Sequence, residues 1–397
     1  MNLSRVAPPP ADLLAAIDAV AAQRLGRDNL DGPLLAQAVA RVSAAYRRQR
    51  GTPATLKSDP QALCARLKFF LPRDFPKIQA PLRELLAVGA LPTAKSLRIL
   101  DVGAGLGTTG LAAAAFALSQ PGVEQVRIDA VDSDPGALDL AAQLCRRWAP
   151  GAGLDIDYRV VRAPLTPALL DKLDPPYHVI VLGFVLNELG DSLSDPVAHH
   201  HAWLERLCRL LTPDGALVVL EPALRDHCRV LQQVRGLIVN ADGPPYVFAP
   251  CLHRDACPML ERERDFCHER LPLALPDSLA RIARAAGLRD SDLSYSYLTL
   301  HRQARSLAEL GSAGPVLRVV SAPLGSKGKI EVAVCGAGSV RRLRRLDRHA
   351  SDLNDALSTA GRGTILSVPD AATAADSVLA IEADSRVDML LATSGKA

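Results

Sequence analysis

The sequence predicts an α/β protein: a mostly parallel, Rossmann-like sheet, preceded by a helical region and interrupted late by a cysteine-rich insertion. Three observations predict it. A short apolar run at 97–102 leads straight into a glycine loop, Asp101-Val102-Gly103-Ala104-Gly105-Leu106-Gly107. From there apolar runs of strand length alternate with helical patterns, an order that builds parallel sheets covered on both faces. Hydrophobic residues make up 48% of 397 residues, enough for a large core.

The N-terminal part, 1–92, reads as helices. Leu13, Leu14, Ile17 and Val20 recur at helical spacing, and Asn29, Asp31, Gly32 and Pro33 punctuate before a second helix. Residues 60–90 read as helical again, with breaks expected at Pro72 and Pro76. The stretch LKFFLPRDFPKIQAPLRELL mixes basic and aromatic residues and is expected to pack on the next unit. Strands follow at 97–102, 126–131, 156–161, 178–182 and 216–220, with helices at 108–117, 135–148 and 200–211. Two later runs, 294–300 and 329–335, are expected to close the same sheet, which places the sheet-bearing unit at 93–340 and the insertion at about 245–272. A basic extension, 341–397, carries two short apolar runs at 365–368 and 389–392 that suit a small β unit.

Net charge is only +3, so the whole chain is not an electrostatic glove for nucleic acid, and any basic surface is local. The densest basic run is Arg341, Arg342, Arg344 and Arg345, followed by Arg348, and arginine forks suit phosphate. No run approaches the ~18 apolar residues that span a bilayer, and the first residues lack the apolar core of a signal peptide. The expectation is a monomeric chain of a bacterial cytoplasm, with no membrane partner. There the eight cysteines stay free or bind metal.

Glycines let a backbone turn tightly and approach a ligand. Asp132, at the end of the second strand, has the place of a carboxylate that accepts from a ribose diol. Gly105, Gly107 and Gly110 match the dinucleotide pattern G-x-G-x-x-G, which is weak alone. The set Asp101, Gly103, Gly105, Gly107 instead resembles the first motif of class I S-adenosylmethionine (SAM) methyltransferases, with LTPDGALVVLEP similar to their fifth strand. That resemblance implies SAM as cofactor. The third strand ends at Arg162-Ala163-Pro164, without the acidic residue that many such enzymes direct at adenine. Asn187 and Glu188, after the fourth strand, border the expected transfer site and are the candidates there for positioning or catalysis. No motif names a certain catalytic residue.

Cys251, Cys257 and Cys267 are separated by five and nine residues, and Cys335 stands 68 positions further on. Thiolates suit iron–sulfur clusters and zinc, and the spacing alone leaves the two open. The segments VFAPCLHRDACPM, DFCHERLPL and LSYSYLTLHR, with Val185–Leu189, resemble the Rsm22 family, the methyltransferase-like proteins of the mitochondrial small ribosomal subunit and their bacterial relatives. The likeness runs from about 95 to 340. It implies a [4Fe–4S] cluster on Cys251, Cys257, Cys267 and Cys335, SAM binding, and work on the small ribosomal subunit or its rRNA. Zinc remains the alternative metal. A non-catalytic assembly factor and a small-molecule methyltransferase remain the alternative functions. Phe266 stands where the family has Trp, Glu269 where it has an aromatic residue, and Glu221-Pro222 leads to Ala223-Leu224-Arg225 in place of Gly-Thr-Pro. Cys64, Cys145, Cys208 and Cys228 are read as packing.

Overall fold

A computed structural model describes residues 6–48, 59–189, 193–311, 315–369 and 377–392. The first sheet has the order β3-β2-β1-β4-β5-β8-β6, with β7 also paired to β8. Its strands are β1 (Ser96–Val102), β2 (Gln125–Asp132), β3 (Ile156–Arg162), β4 (Tyr177–Gly183), β5 (Leu211–Pro222), β6 (Tyr246–Ala249), β7 (Glu269–Pro272) and β8 (Asp292–His301). Strands β1 to β5 pair in parallel, while β8 runs antiparallel to β5, β6 and β7.

The strands read as unbroken apolar runs because both faces are covered. Ile99, Val179 and Val181 enter one core, and Leu100, Ile180 and Leu182 enter the other. On the first face lie the helices Thr108–Leu118 and Pro135–Trp148 and part of the N-terminal region. On the second lie Pro196–Cys208 and Arg225–Asn240. The order reverses between β1 and β4, so a crevice opens beyond their carboxyl ends, where α/β sheets bind ligands.

The N-terminal helices are Ala11–Leu25 and Gly32–Arg48. Leu35, Val39 and Val42 of the second pack with Leu279 and Ala283 of the helix Asp277–Ala285. Pro72 and Pro76 do not break the next segment, which stays helical from Pro60 to Ala87. Arg66–Phe70 forms a wide π turn just before Pro72, and Phe75–Ile78 a tight 3-10 turn around Pro76. Such changes of pitch make room for a ring that cannot donate and would clash with a carbonyl four residues back.

The strand expected to close the first sheet at 329–335 belongs to a second one. Its strands are β9 (Val316–Val319), β10 (Leu324–Ser326), β11 (Lys329–Gly336), β12 (Ser339–Leu346), β13 (Ile365–Ser367), β14 (Val378–Ile381) and β15 (Asp388–Leu391). Their order is β14-β12-β11-β9-β13-β15, with β10 on β11. Leu317, Val319, Val332, Val334, Leu343, Leu366 and Leu379 form a core of their own. The boundary expected at 340 therefore falls inside the β11–β12 hairpin. The strands β6 and β7, which flank the cysteine loop, belong to the first sheet, so the insertion is the loop between them.

One buried ion network joins these parts. Arg318 on β9, 4% exposed as a side chain, donates to Glu84 of the helix Gln79–Ala87 (2.6 Å) and to Glu269 on β7 (3.2 Å). The Tyr297 hydroxyl on β8 donates to the other Glu84 oxygen at 2.7 Å. Removing one partner of a buried pair strands the remaining charge. Arg318→Met is expected to lower unfolding stability by about 3–5 kcal/mol in chemical denaturation. Arg342→Ala, whose side chain is 65% exposed beside Glu331 at 3.4 Å, is expected to cost under about 1 kcal/mol in the same measurement.

Candidate functional site

A cavity of about 640 Å³ fills the crevice beyond β1 and β4, within the usual range for small-molecule sites. Gly103, Gly105, Asp132, Asn187 and Glu188 all line it, so the structure brings these sequence candidates together. Gly103 has φ +69°, and a Cβ there would lie 2.5 Å from Val185 Cγ2, so only glycine fits. The Asp132 carboxylate accepts from the Gly105 N–H at 2.8 Å and from the Asp134 N–H at 2.8 Å. Capping of the helix Pro135–Trp148 falls to Asp134, whose side chain accepts from Ala137 N–H at 3.0 Å. Asp132 is thus a pocket residue and Asp134 the cap.

Asp101 lies behind the loop, buried, accepting from the Gly110 N–H at 3.0 Å. Burial raises its carboxyl to about 7, the Gly110 N–H acting against the rise. A Cβ on Gly110 would meet that carboxylate oxygen at 2.5 Å, so this glycine serves the approach of helix to strand.

The opposite wall comes from the N-terminal segment, whose mixture of basic and aromatic residues the sequence displays without revealing its direction. Arg66, Phe70, Arg73, Asp74 and Lys77 all face the cavity. Lys77 is 4% exposed, pairs with Asp74 at 2.9 Å, and sets its ammonium 4.4 Å over the Phe184 ring. Burial lowers its affinity for a proton, and Asp74 partly restores it. Phe184 itself holds φ 63°, a costly conformation for an aromatic residue.

Glu221, at the end of β5, is the residue that sequence reasoning did not assign a role. Its carboxylate accepts from the backbone N–H groups of Leu186 (2.9 Å) and Asn187 (3.1 Å), capping the one-turn helix Leu186–Leu189. The Asn187 amide, with its nitrogen turned inward, donates to Glu221 Oε2 at 3.1 Å and to the Phe184 carbonyl at 2.8 Å. Asn187 therefore fixes the end of β4, a positioning role.

The thiols of Cys251, Cys257 and Cys267 line a narrow cavity of about 30 Å³ with Arg235, His268 and Tyr297. Cys335 approaches from β11, its Sγ 3.6 Å from His253 Nε2. Burial raises its thiol to about 12, and the nearby Cys251 and Cys257 add to the rise. Cys267 is also raised, by burial and then by Cys251, Glu269, Cys257 and Cys335. All four sulfurs therefore sit within each other's electrostatic reach. Among the described residues no group of three or more His, Cys, Asp or Glu is set to hold a metal ion. The loop is held through its backbone. Arg235 Nη1 and Nη2 donate to the carbonyls of Asp255 and His253, and Arg229 donates to those of Met259, Leu260, Arg262 and Asp265. The other four cysteines are buried.

The arginine run does not form one continuous exposed surface. Arg345 is buried and donates to Asn354 and Ser358, so it holds β12 to the following turn and is not a contact for RNA. Arg342 and Arg344 pair with Glu331 across the hairpin, and Arg341 is partly exposed. The run reads as a charge block because β12 alternates around buried Leu343 and Arg345.

The sequence profile described as "Mitochondrial small ribosomal subunit Rsm22" matches residues 64–353. The chain belongs to the Rsm22 family. No curated protein matches it. Solved structures with a related outline include a candidate class I SAM-dependent methyltransferase of Listeria monocytogenes (13% identity, TM-score 0.38, covering 73% of this chain and 86% of that one). Others are a SAM-dependent methyltransferase of Agrobacterium tumefaciens (14%, 0.34, 58% and 63%) and the precorrin-6y C5,15-methyltransferase of Geobacter metallireducens (14%, 0.32, 55% and 87%). None of these likenesses bears on substrate. The strand order of this Rsm22 protein, with its antiparallel β8, is of the methyltransferase-like α/β type. No helix among the described residues is long and apolar enough to cross a membrane.

Glu221 gives a pH signature. Burial lifts its carboxyl from 4.5 to about 8, with the Leu186 and Asn187 N–H groups opposing. A raised carboxyl stabilises the fold in its protonated form: the contribution is full below 4.5, falls as pH rises, and is gone above about 8. Glu221→Gln is expected to flatten the fall in stability across that window, by up to about 1.4 kcal/mol per pH unit, in denaturation series at several pH values. Asp101 keeps its own share of the slope below about 7.

Proposed function

We propose that the protein binds SAM in the glycine-loop cavity and acts on the small ribosomal subunit or its rRNA, with a [4Fe–4S] cluster held by Cys251, Cys257, Cys267 and Cys335. The observation that carries the reading is the pairing, in one chain, of a loop-and-carboxylate pocket with four thiols from distant positions. The family description supports the ribosomal target. Asp132 is suited to a ribose diol and the loop to an approaching cofactor backbone. Glu188 lines the same cavity, and this reading gives it the substrate side.

The donor set suits the cluster: Cys251, Cys257 and Cys267 line the cavity, with Glu269 at its edge, and Cys335 approaches from β11. The void is small, and Arg229 and Arg235 hold the backbone of the 251–267 loop to the helix Arg225–Asn240. When bound, such a cluster supplies covalent ties between the loop and β11. Methyl transfer asks for a nucleophile within ~3–3.5 Å of the methyl carbon and little acid–base help, in keeping with a pocket whose polar groups mainly position.

Anaerobic purification is expected to yield a brown protein with iron and sulfide in equal amounts and absorbance near ~400 nm. Cys335→Ser is expected to lose most of that iron. A colourless protein with one zinc per chain would overturn the cluster. Mapping of rRNA methyl groups in a deletion strain tests the activity. A single lost methyl group supports the enzyme. A full methyl complement with defective small subunits would make the protein an assembly factor.

A further inference from the structure

We propose that Arg66 is the anchor for the α-carboxylate of the cofactor's amino-acid tail, and so decides whether the pocket accepts the whole cofactor or only its nucleoside part. This rests on the SAM reading above and deepens it. The starting observation is an imbalance among the cations of the N-terminal wall. Lys77 has Asp74 at 2.9 Å, and Arg73 approaches the same carboxylate at 3.6 Å. Arg66 has no ion pair or side-chain hydrogen bond among the described residues, and its Nη1 is buried without any partner. Arg66 is half-buried as a residue, and a guanidinium nitrogen withdrawn from water without a partner is costly. Proteins keep such groups where a ligand supplies the missing charge.

The position selects the ligand group. Arg66 Nη2 lies 3.6 Å from the point that a Cβ on Gly105 would occupy, and Asp132 Oδ2 lies 3.9 Å from the same point. Arg66 and Asp132 therefore both stand against one glycine of the loop, a cation and a carboxylate beside the same backbone turn. SAM presents matching groups: a diol that needs an acceptor and a carboxylate that needs a cation. Arginine meets a carboxylate with two parallel N–H donors. The π turn at Arg66–Phe70 supports the assignment. Its extra residue per turn brings Arg66 and Phe70 to the cavity together with Arg73 and Lys77, on a helix that Pro72 would otherwise disrupt.

The probe is a pair of cofactors that differ only in the group concerned: SAM and decarboxylated SAM, which keeps the sulfonium and the ammonium. Isothermal titration of the full chain is expected to show SAM binding about 10- to 100-fold tighter than decarboxylated SAM, the size of a charge-assisted contact. In Arg66→Gln, SAM is expected to weaken by the same factor while decarboxylated SAM stays within about threefold. Because Arg66 Nη1 satisfies nothing in the free protein, the variant's unfolding midpoint without ligand is expected to hold or rise. Arg66→Lys, which retains charge without the fork, is expected to fall between. Equal weakening of both ligands would overturn the proposal in favour of a role in pocket shape. Unchanged SAM affinity would overturn it in favour of an anion on the substrate. A wild-type chain that binds neither ligand would defeat the SAM reading itself, and this proposal with it.

Discussion

One buried guanidinium ties the molecule together. Arg318 sits on β9 of the second sheet but spends its hydrogen bonds on Glu84 from the N-terminal helices and Glu269 from the first sheet. Two carboxylates around one cation leave an excess of negative charge in a dry place. Burial accordingly pushes the Glu269 carboxyl upward, with Glu84 adding to the rise and Arg318 resisting it. The network has a second neighbour: on β11, Cys335 is the register partner of Arg318. The electrostatics that dock the second sheet thus border the thiol site, where burial raises the Cys335 thiol and Arg318 opposes the rise.

The crevice beyond β1 and β4 shows the same economy on its other side. Sheet topology opens a gap between β1 and β4, but a gap is not a pocket. The glycine loop supplies its floor, Glu221 and Asn187 stiffen the turn after β4, and the helical segment 60–87 supplies the far wall. The N-terminal region is therefore part of the site and not an appendage. Its cationic and aromatic side chains look like a surface stripe in the sequence because helical periodicity does not reveal what a helix faces.

This explains what was legible in the chain and what was not. The first sheet was readable because its strands are covered on both faces, and so appear as apolar runs of strand length. The places of Gly103, Gly105 and Asp132 in the crevice were readable because a glycine loop and a strand-ending carboxylate belong beyond the carboxyl ends of such strands. The second sheet was only partly readable. Strand β12 hides its alternation by placing Arg345 at an interior position, where Asn354 and Ser358 answer it. Strand β11 was visible as a strand but not as a member of a different sheet, since register partners lie outside any local pattern. Glu221 escaped notice because it matters through what it meets across the fold, two backbone N–H groups 34 and 35 positions away.

The placement of the fourth thiol has a bearing on biosynthesis. Three of the sulfurs belong to a loop finished by residue 267, but the last is carried by β11, 68 positions downstream (335 − 267). As the chain leaves the ribosome from its amino end, the earlier three are made well before their companion. The fourth sulfur joins the other three only once β11 has been made and has paired with β9 and β12, so the meeting of the thiols reports that the second sheet has docked beside the first.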